Sequence, residues 1–168
     1  MSKYWSEQTK QLDPYVPGEQ PQDKVYIKLN TNENPYPPSP RVMQAIRDHV
    51  ESSLRLYPDP ESHALRGQIA KKYALTKEEV FVGNGSDEVL ALAFKAFFSQ
   101  EKPVLFADIT YSFYRVYVQF HELQAIRIPL QENFQIDLAA YCETANGGIV
   151  IANPNAPTGI EVPLQDIE

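Results

Sequence analysis

A strand-to-helix turn decides the fold, and it reads Val80-Phe81-Val82-Gly83-Asn84-Gly85-Ser86-Asp87-Glu88. An apolar run here passes through two glycines into a segment that starts like a helix. The first N–H groups of a helix have no partner within it, and the helix dipole favours negative charge at that end. The turn therefore suits an anion. A glycine followed by a serine cap also meets purely structural needs, so the turn alone leaves both interpretations open.

Around this turn, short apolar runs alternate with helical patterns. The runs lack polar alternation, which is typical of strands buried on both faces of a parallel sheet, and they span residues 80–82, 104–107, 125–128 and 149–152. Helical patterns lie between them at residues 86–99, 112–121 and 137–144. The first of these helices is apolar nearly all round, so we predict that it is buried. This alternation predicts an α/β fold with a mostly parallel central sheet.

The first 60 residues follow a different pattern. Residues 1–38 are rich in proline and polar residues, but their apolar side chains predict an arm packed on another surface: Tyr15, Val25, Tyr26, Ile27 and Leu29. Ser39 and Pro40 predict the start of a helix with one apolar stripe, formed by Val42, Ile46, Val50 and Leu54. Ser62 predicts the cap of a second helix, with a stripe formed by Leu65, Ile69 and Tyr73.

Composition argues against several kinds of partner. The 168 residues carry 15 basic and 22 acidic side chains, a net charge of −7, so we do not expect a nucleic-acid partner. The single Cys142 fits a reducing compartment, and the three histidines lack ligand spacing, so we expect no metal site. No apolar run is long enough to span a bilayer. These features predict a cytoplasmic protein without a membrane segment.

The predicted sheet places three unusual loops at one edge, since ligands of parallel sheets bind at the carboxyl ends of strands. The amides of Gly85, Ser86 and Asp87 suit a phosphate. Tyr111 suits stacking on a flat heterocycle, or equally a place in the core, and Asn155 offers an amide donor to an oxygen anion. The turn is neither a P-loop nor Gly-x-Gly-x-x-Gly, so a dinucleotide site is a minor alternative.

Six motifs in this order resemble those of the fold-type I pyridoxal-phosphate enzymes, and among these the histidinol-phosphate aminotransferases, over essentially the whole chain. They are Pro14-Tyr15-Val16-Pro17-Gly18, Leu29-Asn30-Thr31-Asn32-Glu33-Asn34-Pro35, Arg55-Leu56-Tyr57-Pro58-Asp59, Gly83-Asn84-Gly85-Ser86-Asp87-Glu88, Thr110-Tyr111-Ser112-Phe113-Tyr114 and Asn153-Pro154-Asn155-Ala156-Pro157-Thr158-Gly159. The resemblance implies a three-layer αβα large domain, preceded by an N-terminal arm and a helix of the small domain. It divides the chain into an arm (1–38), a helix and link (39–60) and an incomplete large domain (61–168).

The resemblance also assigns roles to individual residues. It implies that the phosphate of pyridoxal 5'-phosphate is held by Gly85, Ser86 and Asp87, and that Tyr111 stacks on the pyridine ring. The asparagine that usually contacts the pyridine hydroxyl is replaced here by Ala156, so Asn155 takes that assignment. Tyr57 is expected to reach the phosphate bound by the other subunit of a homodimer with shared sites. Tyr15 and Asn32 are expected to line the substrate pocket.

The implied reaction exchanges an amino group between histidinol phosphate and 2-oxoglutarate. It needs a lysine that forms a Schiff base with the cofactor, and none of the 9 lysines stands in a suitable context. We therefore expect that lysine beyond Glu168 and an inactive chain without it. Two alternatives remain. One is a threonine-phosphate decarboxylase or aromatic aminotransferase of the same fold, and the other is a non-catalytic phosphate-binding domain.

Overall fold

The computed structural model describes residues 2–12, 18–50 and 52–167 of the chain. They divide into two compact units. The first comprises Met1–Tyr15 together with Gly83–Glu168, and the second comprises Val16–Val82. The predicted division into an arm, a link and a large domain stays a prediction.

A three-stranded parallel sheet lies at the centre of the first unit. Its strands are β1 (Val104–Ala107), β2 (Ala125–Ile128) and β3 (Gly148–Ile149), in the order β2-β1-β3. Val104 pairs with Ala125 on one side and with Gly148 on the other. All four residues of β1 are buried, as expected for a central strand whose two faces are both covered. The predicted parallel sheet is confirmed.

Helices cover both faces of this sheet. On one face, Val104 and Phe106 pack against aromatic side chains of α4 (Gly85–Phe97) and α5 (Phe113–Phe120), namely Phe94, Tyr114 and Tyr117. On the other face, Leu105 packs with Ile128 and with Tyr141 of α6 (Leu138–Glu143). Successive residues of β1 thus point to opposite helix layers, because side chains alternate along a strand. The predicted three-layer αβα arrangement is confirmed.

Two of the predicted strands need correction. Residues 80–82 are not in the sheet: the Val80 N–H donates to the Lys77 carbonyl oxygen and the Arg66 Nε donates to the Val80 carbonyl oxygen. These contacts use the backbone groups that a strand partner would need. The last strand ends at Ile149 and not at residue 152, with one further sheet-like bond from the Val150 N–H to the Leu105 carbonyl oxygen.

The first long helix of the second unit starts where the sequence predicts and ends earlier. Helix α2 spans Pro40–Asp48, and the Ser39 hydroxyl accepts from the Val42 N–H, so the predicted cap is confirmed. The His49 ring nitrogen lies 2.8 Å from the Ala45 carbonyl oxygen and satisfies a terminal acceptor. The helix ends at Asp48, before Val50, so the longer predicted stripe is wrong. A separate 3₁₀ turn follows at Ser52–Arg55.

Helix α3 (His63–Tyr73) uses a different cap from the predicted one. Ser62 lies at the N-cap position with a left-handed φ of 49°, and its side chain makes no capping bond. The Asp59 carboxylate caps the helix instead, accepting from the His63 N–H at 2.7 Å and from the Glu61 N–H at 3.1 Å. The longer, charged Asp59 side chain thus bonds to backbone N–H groups at the helix start, which the Ser62 side chain does not.

Helix α4 and the arm expose more apolar surface than the sequence predicts. Phe94 is the buried residue of α4, whereas Leu92 is 48% exposed and Phe97 is 78% exposed. Val25, Ile27 and Leu29 are also exposed. The prediction of a fully buried helix is wrong for this chain because no described element covers that side of α4.

Shorter helices complete the chain. Helix α1 (Glu7–Gln11) belongs to the first unit, where the Gln8 side-chain amide donates to the Phe120 carbonyl oxygen at the end of α5. Asp137 caps α6 through the Ala140 N–H, as the pattern at residues 137–144 predicts, and α7 spans Leu164–Ile167. None of the helices in the described ranges has both the length and the apolar content needed to cross a bilayer.

Candidate functional site

The turn before α4 is shaped by its two glycines. Gly85 has a φ of +82°, which an L-residue adopts only with strain. A Cβ on Gly83 would lie 2.9 Å from the Glu88 Oε2 atom, and that carboxylate accepts from the Asn84 N–H at 2.6 Å. The Gly85 N–H donates to the Gly83 carbonyl oxygen at 3.0 Å. The glycines thus let the chain fold back tightly before the helix starts.

This folding leaves a small set of donors at the helix start. Ser86 and Asp87 are exposed, and among the described residues no acceptor is bonded to either backbone N–H or to the Ser86 hydroxyl. These three groups lie in the first turn of α4, where the helix dipole favours an anion. The Gly85 N–H, also assigned to the anion from sequence, is occupied by Gly83 in this structure.

The side chain of Asp87 points toward α5. Its Oδ1 atom accepts from the Tyr111 hydroxyl at 2.8 Å and from the Tyr117 hydroxyl at 3.2 Å. The Tyr117 hydroxyl also lies 3.1 Å from the Asp87 carbonyl oxygen. Burial, followed by the nearby Asp87 charge, raises the pKa of Tyr117 well above its ordinary value. The Tyr117 phenol therefore keeps its proton and remains a donor at neutral pH.

The ring of Tyr111 is held from two sides. Its centroid lies 5.6 Å from that of Tyr114 in an edge-on contact and 6.1 Å from that of Phe113 in a stacked one. Its hydroxyl is bound to Asp87. The ring is half-buried and its orientation is set by these contacts, so Tyr111 is a rigid aromatic surface next to the start of α4.

Asn155 links two loops of the first unit. It is 3% exposed, and its Nδ2 atom donates to the Ile109 carbonyl oxygen at 3.0 Å and to the Thr158 Oγ1 atom at 3.1 Å. The Thr110 hydroxyl donates to its Oδ1 atom at 2.7 Å. Both amide protons of Asn155 thus have protein acceptors, and the bonds join the loop after β1 to the loop after β3. The assignment of Asn155 to a cofactor stays a prediction.

The structure thus brings part of the predicted site together. Asp87 meets Tyr111 directly, and Asn155 bonds to Thr110, the neighbour of Tyr111 along the chain. Gly85 and Ser86 lie in the same helix turn as Asp87.

The remaining predicted residues belong to the second unit or fall outside the described ranges. Tyr57 is fully exposed in the second unit, and Asn32, with a φ of 52°, is exposed in the same unit. Tyr15 lies outside the described residues. Their roles stay predictions.

Sequence reasoning missed two residues that organise this site, Tyr117 and Thr110. Tyr117 carries a recognisable signal, because a tyrosine on the apolar face of a helix needs a partner for its hydroxyl when buried. The pattern does not say which partner. Thr110 carries no such signal, since a hydroxyl beside a strand end is common in loops that bind nothing.

An αβα fold in which N–H groups at the start of α4, unbonded within the described ranges, lie beside the Tyr111 ring describes an α/β protein with a candidate anion site. Residues 24–168 match the family described as Aminotransferase class I and II. The chain belongs to this family, which confirms the predicted relationship to the aminotransferases.

Within this family, the chain is similar to curated histidinol-phosphate aminotransferases. Over its full length the chain is 57% identical to the histidinol-phosphate aminotransferase of Clostridium acetobutylicum, covering 47% of it, and 56% identical to that of Marinomonas sp., covering 48%. The chain spans about half the length of these curated relatives.

Solved structures agree with this relationship. The Sinorhizobium meliloti histidinol-phosphate aminotransferase, in complex with pyridoxal-5'-phosphate, matches 82% of this chain with a TM-score of 0.73 and 25% identity, and 38% of that chain is covered. An aminotransferase from Mycobacterium tuberculosis matches 76% of this chain with a TM-score of 0.63 and 26% identity, and 35% of that chain is covered.

Proposed function

We propose that this chain is part of a histidinol-phosphate aminotransferase of histidine biosynthesis. The enzyme would convert histidinol phosphate and 2-oxoglutarate to imidazole-acetol phosphate and glutamate. The single observation that carries the proposal is the bond of 2.8 Å between the Tyr111 hydroxyl and Asp87, which sets an aromatic ring beside an anion-binding helix start. The identity of 56–57% to histidinol-phosphate aminotransferases supports the choice of substrate.

The donor set fits pyridoxal 5'-phosphate as cofactor. Two backbone amides and the Ser86 hydroxyl match a phosphate, and the Tyr111 ring matches a flat heterocycle. When bound, the cofactor supplies an electron-withdrawing ring that stabilises negative charge on the substrate's α-carbon. The relative from Sinorhizobium meliloti was solved with this cofactor.

The residues of this chain would then bind and orient. The amides of Ser86 and Asp87, together with the Ser86 hydroxyl, would hold the phosphate, and Tyr111 would fix the tilt of the ring. Thr110 and Asn155 would keep the loop that carries Tyr111 in place through their bond of 2.7 Å. Tyr117 would keep its proton on the phenol oxygen and donate a hydrogen bond to Asp87.

We also propose a homodimer with shared active sites in the cytoplasm. Tyr57 would reach the phosphate bound by the partner subunit, and Tyr15 and Asn32 would line the substrate pocket. The complete exposure of the Tyr57 side chain fits a residue that contacts another molecule.

The test uses the complete gene product. Incubated with pyridoxal phosphate, histidinol phosphate and 2-oxoglutarate, it should form glutamate, and a Ser86→Ala variant should need more cofactor to reach the same rate. Ser99→Ala, which changes an exposed serine after α4, is the matched control. Release of carbon dioxide from threonine phosphate, faster turnover of aromatic amino acids, or cofactor binding without turnover of any amino donor would each overturn the proposal.

A further inference from the structure

The side chain of Asp87 presents an electrostatic problem at the proposed phosphate site. An aspartate in the first turn of a helix tends to fold back and accept from nearby backbone N–H groups. Here those N–H groups are the ones that a phosphate would need. A carboxylate left free at this position would also repel a phosphate dianion. Something must hold the Asp87 carboxylate away from its own helix start.

Two phenols hold it. The Tyr111 hydroxyl donates to the Asp87 Oδ1 atom at 2.8 Å. The Tyr117 hydroxyl lies 3.2 Å from the same atom and shares its single proton between that atom and the Asp87 carbonyl oxygen, so the carboxylate faces α5. Tyr117 is 3% exposed, and its hydroxyl also lies 3.1 Å from the Asp87 carbonyl oxygen. Tyr117 thus contacts both the side chain and the main chain of Asp87.

Tyr117 belongs to a repeated contact between α4 and α5. One turn further along both helices, the His121 Nε2 atom lies 2.9 Å from the Ala91 carbonyl oxygen. Residues 117 and 121 on α5 therefore meet residues 87 and 91 on α4. The two contacts differ in what they reach, since Tyr117 contacts the helix start that offers the amides and His121 contacts the helix interior.

We propose that Tyr117 and Tyr111 are positioning residues that lock the Asp87 carboxylate against α5 and so keep the Ser86 and Asp87 amides open to the cofactor phosphate. The proposal rests on the proposed function, because it assumes that the phosphate binds at the start of α4. Tyr117 itself touches neither the phosphate nor the ring in this arrangement. It acts through Asp87.

The test compares two probes on the complete protein: pyridoxal 5'-phosphate and pyridoxal, which lacks the phosphate. Tyr117→Phe removes one hydroxyl, and we expect about a three- to tenfold loss of affinity for pyridoxal phosphate, the usual effect of one hydrogen bond. Affinity for pyridoxal should stay within about twofold, because the ring contacts are kept. A general loosening of the fold would weaken both probes equally.

Two controls separate this role from simple packing. Tyr114→Phe removes a hydroxyl from the same buried aromatic group and keeps the ring that packs against Tyr111. Within the described ranges, the Tyr114 hydroxyl makes no bond to Asp87, so both affinities should stay unchanged. His121→Ala loosens the same helix pair one turn away. If Tyr117→Phe behaves like either control, the inference is wrong.

The outcomes also separate this inference from the proposed function. If the unaltered protein binds neither probe, the proposed function fails. If it prefers pyridoxal phosphate and Tyr117→Phe keeps that preference in full, only the positioning role fails. Should Tyr117→Phe not fold, as judged by circular dichroism, Tyr111→Phe removes the other donor from a half-buried position. Unchanged preference for pyridoxal phosphate in Tyr111→Phe would then overturn the inference.

Discussion

At the scale of single residues, two aspartates near helix starts differ in the direction that their carboxylates face. Asp87 is turned toward two phenols, and Asp59 is turned into the start of α3. In both cases a carboxylate accepts several hydrogen bonds. The same residue type thus caps one helix and leaves the start of another open. The difference lies in which donors surround each carboxylate.

The Asp59 cap predicts how stability depends on pH. Its pKa is lowered by the hydrogen bond from the His63 side chain, and then by those from the His63 and Glu61 backbone N–H groups. Because the folded pKa lies below the unfolded value, this stabilisation is complete above the unfolded pKa of about 3.9 and is lost as pH falls through the lowered pKa. Urea unfolding of the chain, followed by helix circular dichroism, should show this loss.

Asp59→Asn provides the direct comparison. The variant should be less stable than the original chain at neutral pH, and the difference should shrink as the solution is acidified below about pH 4. Glu78→Gln, which changes an exposed carboxylate of the same unit, serves as control. A constant difference between Asp59→Asn and the original chain at every pH would contradict the prediction.

Tyr111 leads to a prediction about cofactor retention. Tyr111→Ala removes an aromatic surface and one donor to Asp87, so the complete protein should hold pyridoxal phosphate more weakly by about 1–3 kcal/mol. Fluorescence titration measures this directly. Unchanged retention would mean that Tyr111 serves only the packing against Tyr114 and Phe113.

At the scale of elements, two loops at the edge of the sheet behave as one structure. The loop after β1 and the loop after β3 are joined through Asn155, whose amide reaches Ile109 and whose oxygen accepts from Thr110. Neither loop has a helix or strand of its own to fix it. The Asn155 side chain supplies hydrogen bonds between the two loops, so the position of Tyr111 depends on a residue that is far away in sequence.

Asn155→Ala should therefore destabilise the chain. It leaves the Ile109 carbonyl oxygen and the Thr110 hydroxyl without this partner in a partly buried place, at a cost of about 1–3 kcal/mol in the free energy of unfolding. Asn133→Ala is the matched control, because Asn133 is exposed and bonds only locally to Gln135. Its effect should stay within about 0.5 kcal/mol. Equal effects of the two substitutions in urea unfolding would contradict the role given to Asn155.

At the scale of the whole molecule, exposed apolar surface favours self-association and net charge opposes it. Phe97 of α4 and several apolar side chains of the second unit, including Val25, Ile27 and Leu29, are exposed. Exposed apolar groups favour association when they form contiguous patches. The net charge of −7 opposes it through repulsion between copies. Which effect dominates depends on how far salt screens that repulsion.

We expect the chain to self-associate more strongly as salt is added. Raising sodium chloride from about 20 mM to about 500 mM shortens the screening length well below 10 Å and removes most of the repulsion, while apolar contacts persist. Sedimentation velocity at several protein concentrations measures the change. A chain that is equally monomeric at both salt concentrations, or that dissociates with added salt, would show that apolar contacts do not drive its association.

Much of the fold could be predicted because its signals are local. The unbroken apolar run at residues 104–107 predicts a strand buried on both faces, and Ser39 and Asp137 cap the helices that follow them. Residues 80–82 show where this fails. They have the composition of a strand, but a strand needs a hydrogen-bonding neighbour. The Val80 N–H and carbonyl oxygen are bonded to Lys77 and Arg66 instead.

The amino-acid sequence by itself determined the αβα class, the family and the turn that suits an anion. Periodicity, helix caps and the motifs each depend on residues that are close to one another along the chain. Only the tertiary structure decided that Asp87 meets Tyr117 and that Asn155 meets Thr110. These partners are separated by 30 and 45 residues along the chain. Which donor reaches which acceptor across such distances depends on how helices and loops pack on the sheet, and no local pattern carries that information.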